Sequence, residues 1–248
     1  MKILKYKKLS NGKYRVEFDS GNRDFYEEVI LKFNLLLKKE IKAKELEEME
    51  QESIFWEGYY FSLKSLKSRY KSCKELARLL ASKGYDNDDV IKIVEKLKDQ
   101  GYLDDRVFAK AYINEQIITS SKGPFRIRKA LEEKGVDTKI IDEEINYFTP
   151  EMELEKINKV IRIALKSNRN RGGIVLRRKI INDLVKLGYS STIINKVIDN
   201  YDFNDTRDIA KKEYDKLYRQ LSKKYNGNEL EYKIKEKLYQ KGLRYEKE

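Results

Sequence analysis

Gly101-Tyr102-Leu103-Asp104-Asp105-Arg106-Val107-Phe108-Ala109-Lys110-Ala111-Tyr112 opens a stretch that closes with Gly123-Pro124-Phe125-Arg126-Ile127-Arg128-Lys129-Ala130-Leu131-Glu132-Glu133-Lys134-Gly135. Gly101 follows a helical pattern ending near Gln100 and supplies the left-handed residue that closes it. Asp104 is placed to cap the next helix by accepting from its free N–H groups. Val107, Phe108, Ala111 and Tyr112 fall at helical spacing and mark one apolar face. Gly123-Pro124 breaks that helix and starts another, with proline in the first turn where its missing N–H costs nothing. Ile127 and Leu131 face inward, Arg126, Arg128 and Lys129 spread around the rest, and Lys134-Gly135 ends the helix.

Working outward, the helix-ending glycines expose a repeat. Gly84, Gly135, Gly188 and Gly242 lie 51, 53 and 54 residues apart. Four residues before each stands leucine: Leu80, Leu131, Leu184, Leu238. Eight before stand Leu76, Ile127, Ile180 and Ile234. Six after the first three stand Val90, Ile141 and Ile194, and ten after stand Val94, Ile145 and Ile198. These offsets put the residues on one face of each helix. Each unit reads as three helices: about 55–70, 72–83 and 86–100; 104–120, 123–134 and 137–147; 151–167, 173–187 and 190–200. Ser72, Asp86, Asp104, Asp137 and Ser190 are the expected caps. The division is 53–103, 104–150, 151–201 and a partial fourth repeat, 202–248. Units of this size have thin cores and bury their remaining faces by stacking. The expected fold is mainly α: tandem three-helix repeats in an elongated curved array.

Residues 1–52 read as a different module. Residues 3–7 and 14–18 form a β-hairpin about the turn at 10–13, with Tyr14, Val16 and Phe18 on one face. Asp19-Ser20-Gly21-Asn22 reads as a second loop, and a helix with Val29, Ile30, Phe33, Leu36 and Leu37 follows from about Glu27. Residues 45–54 look like an acidic connecting helix. The aromatic group Phe55, Trp56, Tyr59, Tyr60 and Phe61 then serves either as packing between the module and the first unit or as a stacking platform for bases.

Composition removes whole classes of chemistry. There is no histidine and one cysteine, Cys73, so Ser-His-Asp and Cys-His systems and zinc sites are excluded. A lone cysteine forms no internal disulfide and fits a reducing cytoplasm. No run of about 18 apolar residues marks a membrane span. Asp86, Asp88, Asp89, Asp104 and Asp105 sit at helix starts, where carboxylates favour the positive end of the dipole, so they read as caps rather than metal ligands. The sequence points to a non-enzyme without cofactor. The net charge of +12 is uneven: residues 151–201 carry 11 basic against 5 acidic side chains. That suits a polyanion partner. Acidic residues along the third helices, among them Asp142, Glu143 and Glu144, argue against their use as recognition helices in a DNA groove.

Gly101-Tyr102-Leu103-Asp104-Asp105, Phe108-Ala109 and Gly123-Pro124-Phe125-Arg126-Ile127, with Leu131 and Lys134-Gly135, resemble the RecX family of regulators of the RecA recombinase. The resemblance implies tandem three-helix units, sometimes behind an N-terminal extension. It also implies a partner, the RecA–DNA filament, which the protein would inhibit from within its helical groove, with consequences for DNA repair, recombination and the SOS response. The candidate filament- or DNA-contacting residues are Arg126, Arg128, Lys129, Arg169, Arg171, Arg177, Arg178 and Lys179, on or just before the second helices of consecutive units. Arginine binds phosphate or carboxylate bidentately. Gly101, Tyr102, Leu103, Asp104, Gly123, Pro124 and Gly135 have structural turn roles. The third unit departs from the pattern, with Asn170-Arg171-Gly172-Gly173 in place of Gly-Pro. Two other readings stand beside this one: a nucleic-acid-binding repeat protein without a recombinase partner, and a protein scaffold.

Overall fold

The computed structural model describes residues 1–9, 12–167, 173–203 and 207–245. Among the described residues three strands, β1 (Ile3–Lys8), β2 (Lys13–Phe18) and β3 (Gly21–Tyr26), precede twelve α-helices. These are α1 (Glu27–Lys32), α2 (Ala43–Ser68), α3 (Cys73–Ser82), α4 (Asn87–Asp99), α5 (Asp105–Thr119), α6 (Pro124–Glu133), α7 (Thr138–Glu144), α8 (Pro150–Ser167), α9 (Gly173–Leu187), α10 (Ser191–Ile198), α11 (Arg207–Leu221) and α12 (Gly227–Gln240). The chain divides into two compact units, Met1–Ala109 with Glu133–Ile140, and Lys110–Glu132 with Ile141–Glu248.

In the first unit the hairpin is a three-stranded antiparallel sheet in the order β1-β2-β3. The expected loop at 19–22 is a tight turn, with Phe18 opposite Gly21, and β3 follows it. Residues 22–24 lack alternating apolar residues, which hid the strand. It pairs with β2 over all six residues and buries Phe25, and across the pair Arg15 Nε and Nη2 donate to the Asp24 carboxylate at 2.7 and 2.9 Å. Helix α1 is also shorter than expected. Asn34 turns left-handed at φ 50° and starts a 3-10 turn, Leu35–Leu37. That rotation buries Leu35 and leaves Leu36 and Leu37 60% and 85% exposed. The sheet and α1 close over Val16, Phe18, Phe25, Val29, Ile30 and Leu35, with Met49 from α2.

The expected connecting helix and the first repeat helix are one element, α2. Its two halves serve two cores: Met49 belongs to the sheet core, and Tyr59 packs with Leu76, Leu80, Val90, Ile93, Leu97 and Leu103. The aromatic group sits at this junction. Trp56 meets Tyr59 edge to face at 5.2 Å, and Tyr60 stacks on Tyr26 of β3 at 4.9 Å. Gly58 lets α2 cross α4, because a Cβ there would lie 2.6 Å from Ile93 Cδ1.

The caps fall where the sequence put them. Ser72, Asp86, Asp104, Asp137 and Ser190 each accept a backbone N–H of the first helical turn. One face differs from expectation: Val107 is 47% exposed, and α5 buries Phe108, Ala109 and Ile113 instead. The repeat positions Leu76, Leu80, Ile127, Leu131, Ile180, Leu184, Ile234 and Leu238 are all buried.

The glycine-closed helix ends make a second kind of contact. In the first unit, the Ser72 hydroxyl donates to Lys134 O at 2.7 Å while accepting from Glu75 N at 3.1 Å, so the start of α3 sits on the end of α6. In the second unit, Gly123 N donates to Leu187 O at 2.8 Å and Phe125 N to Gly188 O at 3.1 Å. There the free donors of α6 meet the free acceptors of α9, groups that a helix leaves unsatisfied at its ends. Gly188 has φ 92°, and a Cβ on it would lie 2.5 Å from Arg126 N.

Two stability tests follow. Leu131→Ala, at a fully buried site, is expected to cost about 2–5 kcal/mol in urea unfolding. Gly188→Ala is expected to cost more than Gly84→Ala. Both impose left-handed strain of about 1–2 kcal/mol on a residue with a Cβ, but Gly84 has open space around it and Gly188 meets the α6 backbone.

Candidate protein and nucleic-acid interface

The proposed contact residues lie on α6 and α9. Of α6, Arg126 and Lys129 are exposed and Arg128 is half-buried. Arg128 Nη2 pairs with Asp142 of α7. Of α9, Arg178 is exposed, while Arg177 Nη2 donates to Asp199 Oδ1 at 2.6 Å and Lys179 pairs with Asp183 one turn on at 2.7 Å. Arg126, Lys129 and Arg178 make no ion pair among the described residues. Arg169 and Arg171 lie outside the described residues.

Two arginines of this set are thus held by carboxylates from the third helix of their own unit or its C-cap. Exposed pairs of this kind contribute about 0–1 kcal/mol each, so they orient the guanidinium without locking it. Between Lys179 and the joint at Leu187 lies about 12 Å of helix at 1.5 Å per residue. Phe125, 59% exposed, stands beside Arg126 at that joint.

The turn residues are distributed along the backbone rather than gathered. Gly101 has φ 72°, Tyr102 N and Leu103 N both donate to Leu97 O, and Leu103 is buried while Tyr102 is 58% exposed. Asp104 accepts from Arg106 N at 2.7 Å. Gly123 and Pro124 form the docked start of α6, and Gly135 closes it at φ 80°.

A further basic row lies outside the expected set. Lys212, Lys216 and Arg219 are exposed at spacings of four and three on α11, and none pairs with an acid among the described residues. That spacing places them on one face. It is readable in the sequence, but α11 is a first helix, and the repeat places the expected set on second helices.

Cys73 is a half-buried thiol. Its N–H donates to Asp105 Oδ1 at 2.8 Å. Burial and then the Asp105 charge push the thiol pKa up to about 12. The thiolate is the reactive form. Alkylation of the folded chain at pH 8 is therefore expected to run at least ~100-fold slower than that of a free thiol, read by mass spectrometry against the urea-unfolded chain.

These features define a mostly helical protein with a small three-stranded sheet at its N-terminus, offering charged helix faces. Among the described residues no helix is long and apolar enough to cross a membrane. Residues 104–144 match the family description "RecX, second three-helix domain". The regulatory protein RecX of Listeria welshimeri is 31% identical over 89% of this chain and 83% of its own length. That of Streptococcus sanguinis is 29% identical over 98% and 95%. A crystal structure of regulatory protein RecX superposes with a TM-score of 0.73 at 26% identity, covering 80% of this chain and 98% of that one. RecX from Lactobacillus salivarius gives 0.55 at 26% identity, over 59% and 96%. The chain belongs to the RecX family of regulatory proteins.

Proposed function

We propose that this chain binds the RecA–DNA filament and inhibits the recombinase, without catalysing a reaction itself. The observation that carries this reading is the 31% identity to a regulatory protein RecX across 89% of the chain. The family resemblance supplies the partner. In this reading the repeats 53–103, 104–150, 151–201 and 202–248 are the framework, and Arg126, Lys129 and Arg178 are the first contacts. Arg128, Arg177 and Lys179 would exchange their present carboxylates for phosphate or for carboxylates of the filament, a swap that costs little at exposed pairs. Arg169 and Arg171 belong to the same candidate set. The protein would act in the cytoplasm, in recombination and DNA repair.

Direct DNA binding is a second reading, and the unpaired row Lys212, Lys216 and Arg219 favours it. It is separable by salt, since neutralising one phosphate-bound cation lowers the salt slope of binding by about 1.

The test is the DNA-dependent ATPase rate of preformed RecA filaments with this protein titrated in. Inhibition well below one molecule per recombinase is expected, weakened by combined Arg126→Glu and Arg178→Glu. No effect at saturating protein, on DNA that the protein itself leaves uncoated, would rule the reading out.

A further inference from the structure

The end-to-start joints of the second helices repeat, and they leave two ends over. The start of α3 meets the end of α6, and the start of α6 meets the end of α9. The start of α9 lies close to the end of α12, since a Cβ on Gly173 would lie 3.0 Å from Gly242 O, with the Gly173 N–H donating to Phe203 O at 2.9 Å. The start of α12 and the end of α3 have no such neighbour among the described residues.

Both open ends have the shape of the occupied ones. Gly173 stands 15 residues before Gly188 with φ 56°, and Gly227 stands 15 before Gly242 with φ 52°. Yet a Cβ on Gly227 would meet nothing within 4 Å. Asn226, ahead of it, makes no side-chain capping bond. At the other end Gly84 shares φ 92° with Gly188, and a Cβ there also meets nothing within 4 Å. Residues 81–84 are exposed.

The charges match as well. At the first joint Lys134, just before Gly135, pairs with Glu75, the third residue of α3, at 2.6 Å. Lys83 stands just before Gly84, and Glu229 is the third residue of α12. Both are exposed, and neither has an ion pair among the described residues. One open end therefore carries the cation, and the other the carboxylate, of a joint the chain already makes.

We propose that the α3 end of one copy docks on the α12 start of another, head to tail, with Lys83 against Glu229. The occupant is a second copy because the starts of α3, α6 and α9 each already lie against the glycine-closed end of a later second helix, and the two open ends carry the Lys and Glu that pair at the first of these contacts. A contact between different patches does not close on itself, so it builds open rows rather than a symmetric dimer. The contact is small and its affinity low, and it is independent of any recombinase.

Sedimentation velocity of the full chain at low salt, from roughly 10 μM to roughly 1 mM, tests it. The average mass is expected to rise with concentration and pass that of a dimer. K83E and E229K each set like charges at the contact and are expected to weaken association about fivefold. An equal mixture of the two restores opposite charges at every contact and is expected to restore association. N228W changes the exposed α12 residue that corresponds to Lys74, whose Cβ would lie 2.8 Å from a Cβ on Gly135, and is expected to abolish association. Melting curves confirm that each variant is folded. A chain monomeric throughout, association indifferent to the three changes, or a mixture that does not recover would each overturn the proposal.

Discussion

A helix leaves donors unsatisfied at its start and acceptors at its end, and burying either without a partner is costly. The second helices of this chain resolve both problems with one contact. The start of α6 gives its free N–H groups to the last carbonyls of α9. Ser72 does the same for α3 through its hydroxyl, donating to Lys134 O while it caps its own helix. Such contacts need the two backbones within about one side-chain radius of each other. That is why Gly123 and Gly188 face each other, with Gly188 O only 2.6 Å from where a Cβ on Gly123 would stand.

Because backbone ends make the joints, the outer faces of the second helices remain available to carry charge. The acidic third helices then take on a role. They are poorly suited to a DNA groove, but Asp142 of α7 and Asp199 beside α10 reach the arginines of α6 and α9. On α6 and α9 Arg128, Arg177 and Lys179 are thus paired, whereas the row on α11 has no ion pair among the described residues. Cations held loosely by exposed carboxylates can exchange those partners for other anions at little cost.

Much of this was legible in the residues. The leucines and isoleucines at four and eight before each glycine lie in cores, and all five expected caps accept the expected N–H groups. The failures have local causes. Strand β3 shows no alternation because its first four residues, Gly21 to Asp24, are exposed or half-buried and polar, and its backbone ladder to β2 needs no apolar stripe there. The end of α1 turned on a single left-handed Asn34, which moved burial from Leu36 and Leu37 to Leu35. Val107 fitted a helical face by spacing alone, but spacing cannot say which of two adjacent stripes meets the core.

The sequence by itself determined most of the helices, the five caps and the buried positions four and eight before each repeat glycine, because each depends on interactions within a few turns of one chain segment. It also carried the family, through the two motifs at 101–105 and 123–135. Only the tertiary structure decided how helix ends meet, which arginines are paired, and which ends stay open. The helix-end contacts join residues as far apart as Ser72 and Lys134 or Gly123 and Gly188, and the arginine pairs Arg128–Asp142 and Arg177–Asp199 join separate helices. Local periodicity holds no information about contacts at that range, because it records only which side of a helix avoids water.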